Sequence, residues 1–257
     1  MAETVPSHPT SPAFAGPSRS AERLRRSDTV LVIGLGRFGS ALATSLEDMG
    51  HDVLGVDLDP GLVADHANAL SQVMEADTTR LDTLRQIGAE DVGAAVVAIG
   101  TDIEASILTT AALVDLGVTP IWAKALTEPH ARILERIGAS EVVFPERDMG
   151  VRVAHQVTGR MIDWFQLDDG FALVETRAPT SMIGQTLQES QARRRFGVTV
   201  VSIKPVGSAF TYATADTVIG QGDVLLVAAA TNAAEQFADH RAPTAAMPRP
   251  REVRPAE

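Results

Sequence analysis

The sequence predicts an α/β protein: a doubly wound parallel sheet followed by a small α+β lobe. Three observations carry that prediction. From Thr29 to about Pro145, short apolar runs alternate with amphipathic helical stretches. A Gly-x-Gly-x-x-Gly run, Gly34 to Gly39, follows the first apolar run directly. Beyond about Met161 the rhythm changes to short strand-like runs with little helix between them.

The apolar runs of the first part are TVLVI, DVLGVD, SQVMEAD, AAVVAIG, PIWAKA and EVVFP. Helical stretches lie between them at Phe38–Met49, Gly61–Leu70, Arg80–Ile87, Ile103–Leu116 and Glu128–Ile137. Strands rich in Val and Ile that alternate with helices imply right-handed βαβ units and a parallel sheet. Residues 28–146 thus read as one Rossmann-like domain and 147–160 as a connector helix. Residues 161–240 read as the lobe, with strands DWFQL, FALVETR, VTVVSIK and DVLLVAA around a helix near Leu187–Arg195. The flanks, 1–27 and 241–257, are Pro-rich and predict disordered tails, because such composition buries too little surface to offset chain entropy.

Composition narrows the function. The net charge is −11, and each tail carries four Arg against two Glu, which leaves about −15 between them. That argues against a nucleic-acid binder, whose phosphate contacts need a basic surface. The chain has no cysteine, so disulfides, thiolate metal sites and thiol nucleophiles are excluded. No segment approaches the ~20 apolar residues of a membrane span, and the start lacks the apolar core of a signal peptide.

The motif Gly34-Leu35-Gly36-Arg37-Phe38-Gly39 ends a strand and opens a helix, the context in which such glycines bind nucleotides. They permit a tight turn and let backbone N–H groups approach phosphates at a helix N-terminus. Asp57 ends the second strand about 20 residues on, placed to accept hydrogen bonds from a ribose diol and to repel a 2′-phosphate. Arg37, a cation in the first helical turn, opposes the helix dipole. It is either a solvent-facing residue or one that reaches terminal phosphates, its own ligand's or a neighbour's.

These residues, with ADTTR (76–80), AIGTDIEASILTT (98–110), WAKA (122–125) and HARILERIGASEVVFPERDMGVRVA (130–154), resemble the potassium-uptake regulatory subunits of the KtrA and TrkA type, the RCK-domain family. The resemblance implies an RCK N-domain and a small C-domain, dimers assembling into an octameric ring, and a membrane-embedded potassium pore subunit as partner. It implies ATP and ADP as ligands, with NAD(H) bound by some relatives, and a cytoplasmic place on the inner face of the membrane. Arg37 then corresponds to the phosphate-contacting arginine and Asp57 to the ribose acid, with Leu58 and Asp59 beside it. Asp77 and Thr78 correspond to the adenine turn, Ile99, Gly100 and Thr101 to the loop after strand four, and Lys124 and Ala125 to the end of strand five. His130 corresponds to a histidine near the phosphates and Glu146 to a glutamate that helps hold a cation, Mg²⁺ or Ca²⁺. The chain departs from the family after strand three, where Ala76-Asp77-Thr78-Thr79-Arg80 replaces the usual Gly-Asp-Ala-Thr-acid.

Other readings stay beside these. Glu146 and Asp148 follow Pro145 at a helix start, where acids suit the dipole without any ligand. Lys124 reads equally as a solvated strand end, and His130 by itself as a surface helix residue. Trp122 and Trp164 read as core or interface anchors. The cluster Arg193, Arg194 and Arg195, with apolar Met182 and Ile183, is either a solvated face or a site for an anionic second messenger such as cyclic di-AMP. An NAD-dependent oxidoreductase or an NAD-responsive regulator is the alternative function. The first lacks an evident acid/base pair, since the one tyrosine, Tyr212, has no Tyr-x-x-x-Lys partner. The expected role is therefore nucleotide-switched regulation rather than catalysis.

Overall fold

The computed structural model of the chain describes residues 28–158, 161–168 and 170–240; both expected tails lie outside them. The fold divides into two compact units that meet between Pro145 and Glu146.

In the first unit, β1 (Val30–Ile33), β2 (Val53–Asp57), β3 (Gln72–Glu75), β4 (Ala94–Val97), β5 (Ile121–Lys124) and β6 (Glu141–Val143) alternate with helices. These are α1 (Arg37–Asp48), α2 (Pro60–His66), α3 (Leu81–Gln86), α4 (Ile103–Asp115) and α5 (Glu128–Ile137). The strands pair in parallel in the order β3-β2-β1-β4-β5-β6. This is the doubly wound order, with its reversal between β1 and β4.

Alternate side chains of each strand feed two cores. Leu31, Ile33, Val56 and Val97 pack with Leu84 of α3, Leu113 of α4 and Leu134 of α5. Val30, Val32, Val53 and Val96 pack on the other side with Ala43 of α1 and Leu35, with Leu62 of α2 alongside. Helices cover both faces, so the strands are near-continuous apolar runs rather than alternating ones.

Three helices of the first unit start as local chemistry predicts. Asp59 caps α2 by accepting from Gly61 N at 2.8 Å, and Asp102 caps α4 through Ala105 N at 3.0 Å. Thr127 caps α5 through His130 N at 3.3 Å. Such side chains satisfy one of the free N–H groups of a first turn. α1 and α3 differ: their cap residues, Gly36 and Arg80, make no side-chain bond.

From Glu146 on, α6 (Pro145–Val157) belongs to the second unit; it starts two residues ahead of the expected connector, and residues 159–160 of that expectation lie outside the described residues. Then come β7 (Asp163–Asp168), β8 (Phe171–Arg177), α7 (Leu187–Ser190), α8 (Ala192–Phe196), β9 (Thr199–Lys204), β10 (Thr211–Tyr212), β11 (Val224–Ala230) and α9 (Thr231–Asp239). The sheet is antiparallel, in the order β10-β9-β11-β8-β7. Val174, Leu225 and Val227 pack beneath it with Met182 and Phe237. The single helix expected at Leu187–Arg195 is two short ones, broken at Gln191, whose φ of 47° is left-handed. α9 follows β11 without a break and has no counterpart in the sequence reading.

Candidate functional site

In open α/β sheets ligands bind beyond the carboxyl ends of the strands, at the point where strand order reverses. Here that point is flanked by the β1–α1 loop and the loop after β4. Two glycines of the motif are steric necessities. Gly34 has φ +92°, and a Cβ there would stand 3.1 Å from the Ala98 carbonyl carbon and the Ile99 nitrogen. A Cβ on Gly39 would fall 1.8 Å from the Gly34 oxygen. Gly36 is different, because nothing lies within 4 Å of where its Cβ would be. The turn is thus held tight at its back and left open at its front, where α1 presents an uncapped N-terminus with no acidic residue in its first turn. Free N–H groups and the positive end of the dipole there favour an anion. Arg37 is the first helical residue and is exposed.

Asp57 ties this loop to the next strand. Its Oδ2 accepts from Leu35 N at 2.6 Å and its Oδ1 from Asp59 N at 2.9 Å. Carboxylate oxygens have further lone pairs, so this anchoring leaves acceptor capacity for a ribose diol. Leu58 is exposed beside it, while one oxygen of Asp59 is engaged in capping α2.

The turn after β3 accounts for the chain's departure from the family pattern. Asp77 Oδ1 accepts from both Thr79 Oγ1 and Thr79 N, at 2.6 and 3.1 Å, and these bonds hold its carboxyl below the ordinary range. Thr78 is buried and its hydroxyl pairs with Thr109 of α4 at 3.0 Å. The added hydroxyl is satisfied inside the fold rather than turned toward a ligand.

Lys124 is not a solvated strand end. It is 6% exposed, its Nζ lies 5.7 Å from the Phe38 ring centroid, and a Cβ on Gly100 would come within 2.9 Å of that Nζ. The ammonium therefore reaches from the end of β5 past the β4 loop to the first turn of α1, and Gly100 gives it room. Ile99 is half-buried, Thr101 is exposed, and Ala125 is buried.

His130 corrects the reading of it as a surface residue, for it is 2% exposed. Its Nδ1 accepts from Leu126 N at 3.4 Å, which assigns the proton to Nε2 in the neutral ring. Burial pushes its pKa down, and Nε2 meets no partner. Ser106 Oγ, on the packed neighbour helix α4, is likewise buried and unpartnered. Its only signal in the sequence was its place in AIGTDIEAS, a run otherwise explained by Asp102 capping α4.

Glu146 stands exposed in the first turn of α6, in the second unit. Among the described residues no group of three or more His, Asp and Glu converges to hold a metal ion. In the second lobe, Arg193, Arg194 and Arg195 are exposed on α8, and Arg195 Nη1 donates to the Ser190 carbonyl at 3.2 Å. Met182 is wholly buried in the lobe's core, so the proposed contact through it does not fit this fold, whereas Ile183 is half-buried.

Residues 30–145 match the TrkA-N domain and residues 171–240 the TrkA-C domain. The Ktr system potassium uptake protein C of Bacillus subtilis is 38% identical over 197 residues, spanning 76% of this chain and 89% of the relative. The Ktr system potassium uptake protein A of Vibrio alginolyticus is 35% identical over 197 residues, spanning 76% and 90%. The solved GsuK RCK domain aligns with 82% of this chain and 46% of its own, at 23% identity and a TM-score of 0.46.

Proposed function

The chain belongs to the potassium-uptake protein family that carries TrkA-N and TrkA-C domains, and we propose that it is a nucleotide-sensing regulatory subunit, not an enzyme, that gates a separate potassium pore. The observation that carries this reading is the uncapped N-terminus of α1, open at Gly36 and overlooked by the buried ammonium of Lys124. A helix end of that kind suits a phosphate chain. Asp57, already anchored to Leu35, accepts the ribose hydroxyls of an adenine nucleotide and disfavours a 2′-phosphate. ATP and ADP are the ligands we favour; NAD(H) shares the adenosine half and fits the same loop.

No helix among the described residues is long and apolar enough to cross a membrane. In this reading the pore is a separate membrane-embedded potassium subunit, on whose cytoplasmic side the chain docks as a ring of dimers. Arg37 distinguishes the terminal phosphate, and Glu146 supplies an oxygen ligand to a divalent cation, Mg²⁺ or Ca²⁺, in the ATP-loaded ring. Only ligands with different contacts in two states shift their balance, so this difference between ATP and ADP is what drives gating. A coupling of about 1–3 kcal/mol suffices. The exposed arginines of α8 leave the second lobe available to an anionic regulator such as cyclic di-AMP. The decisive test is potassium flux through the reconstituted pore with this subunit and ATP, ADP or no nucleotide. Flux is expected to differ between ATP and ADP; identical flux in all three, with binding confirmed by calorimetry, refutes nucleotide gating.

A further inference from the structure

Helix α6 is bound to its own lobe along one face. Arg152, His155 and Gln156 stand at i, i+3 and i+4, which share a helix face, and all three engage β7, an edge strand of the second sheet. Arg152 grips Asp163 at two points, Nε to Oδ1 at 2.6 Å and Nη2 to Oδ2. Gln156 Nε2 donates to the same Oδ1 at 3.3 Å. The guanidinium also lies 4.7 Å from the Phe165 ring centroid, and the His155 ring stacks on Trp164 at 4.2 Å and 17°. Successive strand residues point to opposite sides, so contacts to 163 and 165 and to 164 hold β7 from both sides. The Arg152 guanidinium keeps the Asp163 carboxyl below its ordinary range, as a stable fork-to-carboxylate pair does.

Just ahead of this grip stands Gly150, in the interior of α6, with open space where a Cβ would be. No packing among the described residues requires a glycine there, and glycine is the residue that most loosens a helix.

We propose that the clamp of Arg152 and Gln156 on Asp163 makes the C-terminal part of α6 one body with the second lobe, and that Gly150 is the hinge through which nucleotide state reaches that lobe. The mechanics stand on the contacts above; the purpose rests on the gating reading. The test uses the full chain with and without ATP, combining hydrogen exchange, calorimetry and flux. Asp163→Asn removes the charged half of the clamp and is expected to speed exchange of the amides of 153–157 at least tenfold. Protection of β8 and β11 and ATP affinity, within twofold, should stay unchanged, while the ATP-to-ADP flux ratio falls toward one. Gly150→Ala is expected to slow exchange across α6 and at least halve that ratio, again with binding intact. Unchanged exchange in α6 of Asp163→Asn overturns the clamp, and a loosened α6 with a full nucleotide response overturns its role in transmission. Should Asp163→Asn not fold, Arg152→Lys keeps the charge but loses the fork, and absence of loosening there is equally fatal. A wild-type flux indifferent to nucleotide sinks the gating reading instead, while the exchange data still judge the clamp.

Discussion

In the first unit β1 and β4 are buried at every position, whereas in the second β8 and β11 are buried at every other one. The difference follows from what covers each sheet. Helices lie on both faces of the parallel sheet, so its interior has no surface to offer and its chemistry moves to the strand ends. The antiparallel sheet has its core on one face, and the other carries partly exposed Leu173, Val224 and Leu226. The proposed site of the first unit lies at the strand ends, away from their buried middles, while a change on β8 or β11 meets the core on one face and a partly exposed surface on the other.

That contrast makes predictions, beginning with the largest effect. Gly39→Ala forces a Cβ against the Gly34 oxygen at the join of strand and helix. Such overpacking against rigid backbone costs on the order of 3 kcal/mol. Chemical denaturation should show that loss in the first unit's transition only; a second unit weakened equally would mean the units do not fold apart. Asp57→Ala should weaken ATP and ADP binding about tenfold, or ~1.4 kcal/mol, in calorimetry, and expose the Leu35 amide to faster exchange. Wild-type affinity for NADP equal to that for NAD would contradict the ribose role.

His130 separates the units by pH. Burial holds its folded pKa below the ordinary value, so the unfolded chain takes up a proton near pH 6.5 while the folded chain does not. Stability from this group is complete above about pH 6.5 and is lost as pH falls below it, at no more than ~1.4 kcal/mol per pH unit. Denaturation between pH 7.5 and 5 should show this slope in the first unit and not in His130→Gln. Smallest is Arg37→Ala. Because the side chain is exposed, its pairing with a terminal phosphate is solvent-screened and worth about 0.5–1 kcal/mol. ATP affinity should fall a few-fold more than ADP affinity; equal losses mean Arg37 does not read the terminal phosphate.

The parallel unit was legible because its signals are local. Apolar runs mark strands buried on both faces, and the spacing from Gly34 to Asp57 is a consequence of one βαβ turn. Three features escaped, each because it is settled by tertiary contacts. His130 lies among buried Ala131 and Leu134 on α5, and an imidazole carries no hint of which face the sheet will claim. Lys124 is identical in sequence to a solvated lysine until Gly100 and Phe38 are brought beside it. The inward turn of Thr78 was hidden as well, because Thr109, 31 residues away, absorbs its hydroxyl. In the second lobe Gln191 hid the helix break, since a left-handed glutamine has no sequence signature, unlike a glycine. Met182 was paired with the arginines by nearness in sequence, but the short turn at Thr180–Met182 rotates it inward.

The bond from Leu35 N to Asp57 has a consequence for anyone retooling the crevice toward a 2′-phosphorylated dinucleotide. The usual recipe replaces the acid with a neutral or basic residue to remove repulsion. In this chain the same exchange also withdraws the acceptor that keeps the β1–α1 turn in shape. Asparagine retains an acceptor while removing the charge, so it is the natural first step; arginine requires a second substitution that restores an oxygen opposite Leu35. Under the nucleotide reading proposed above, cofactor preference and loop geometry are linked through one carboxylate, and altering the first means rebuilding the second.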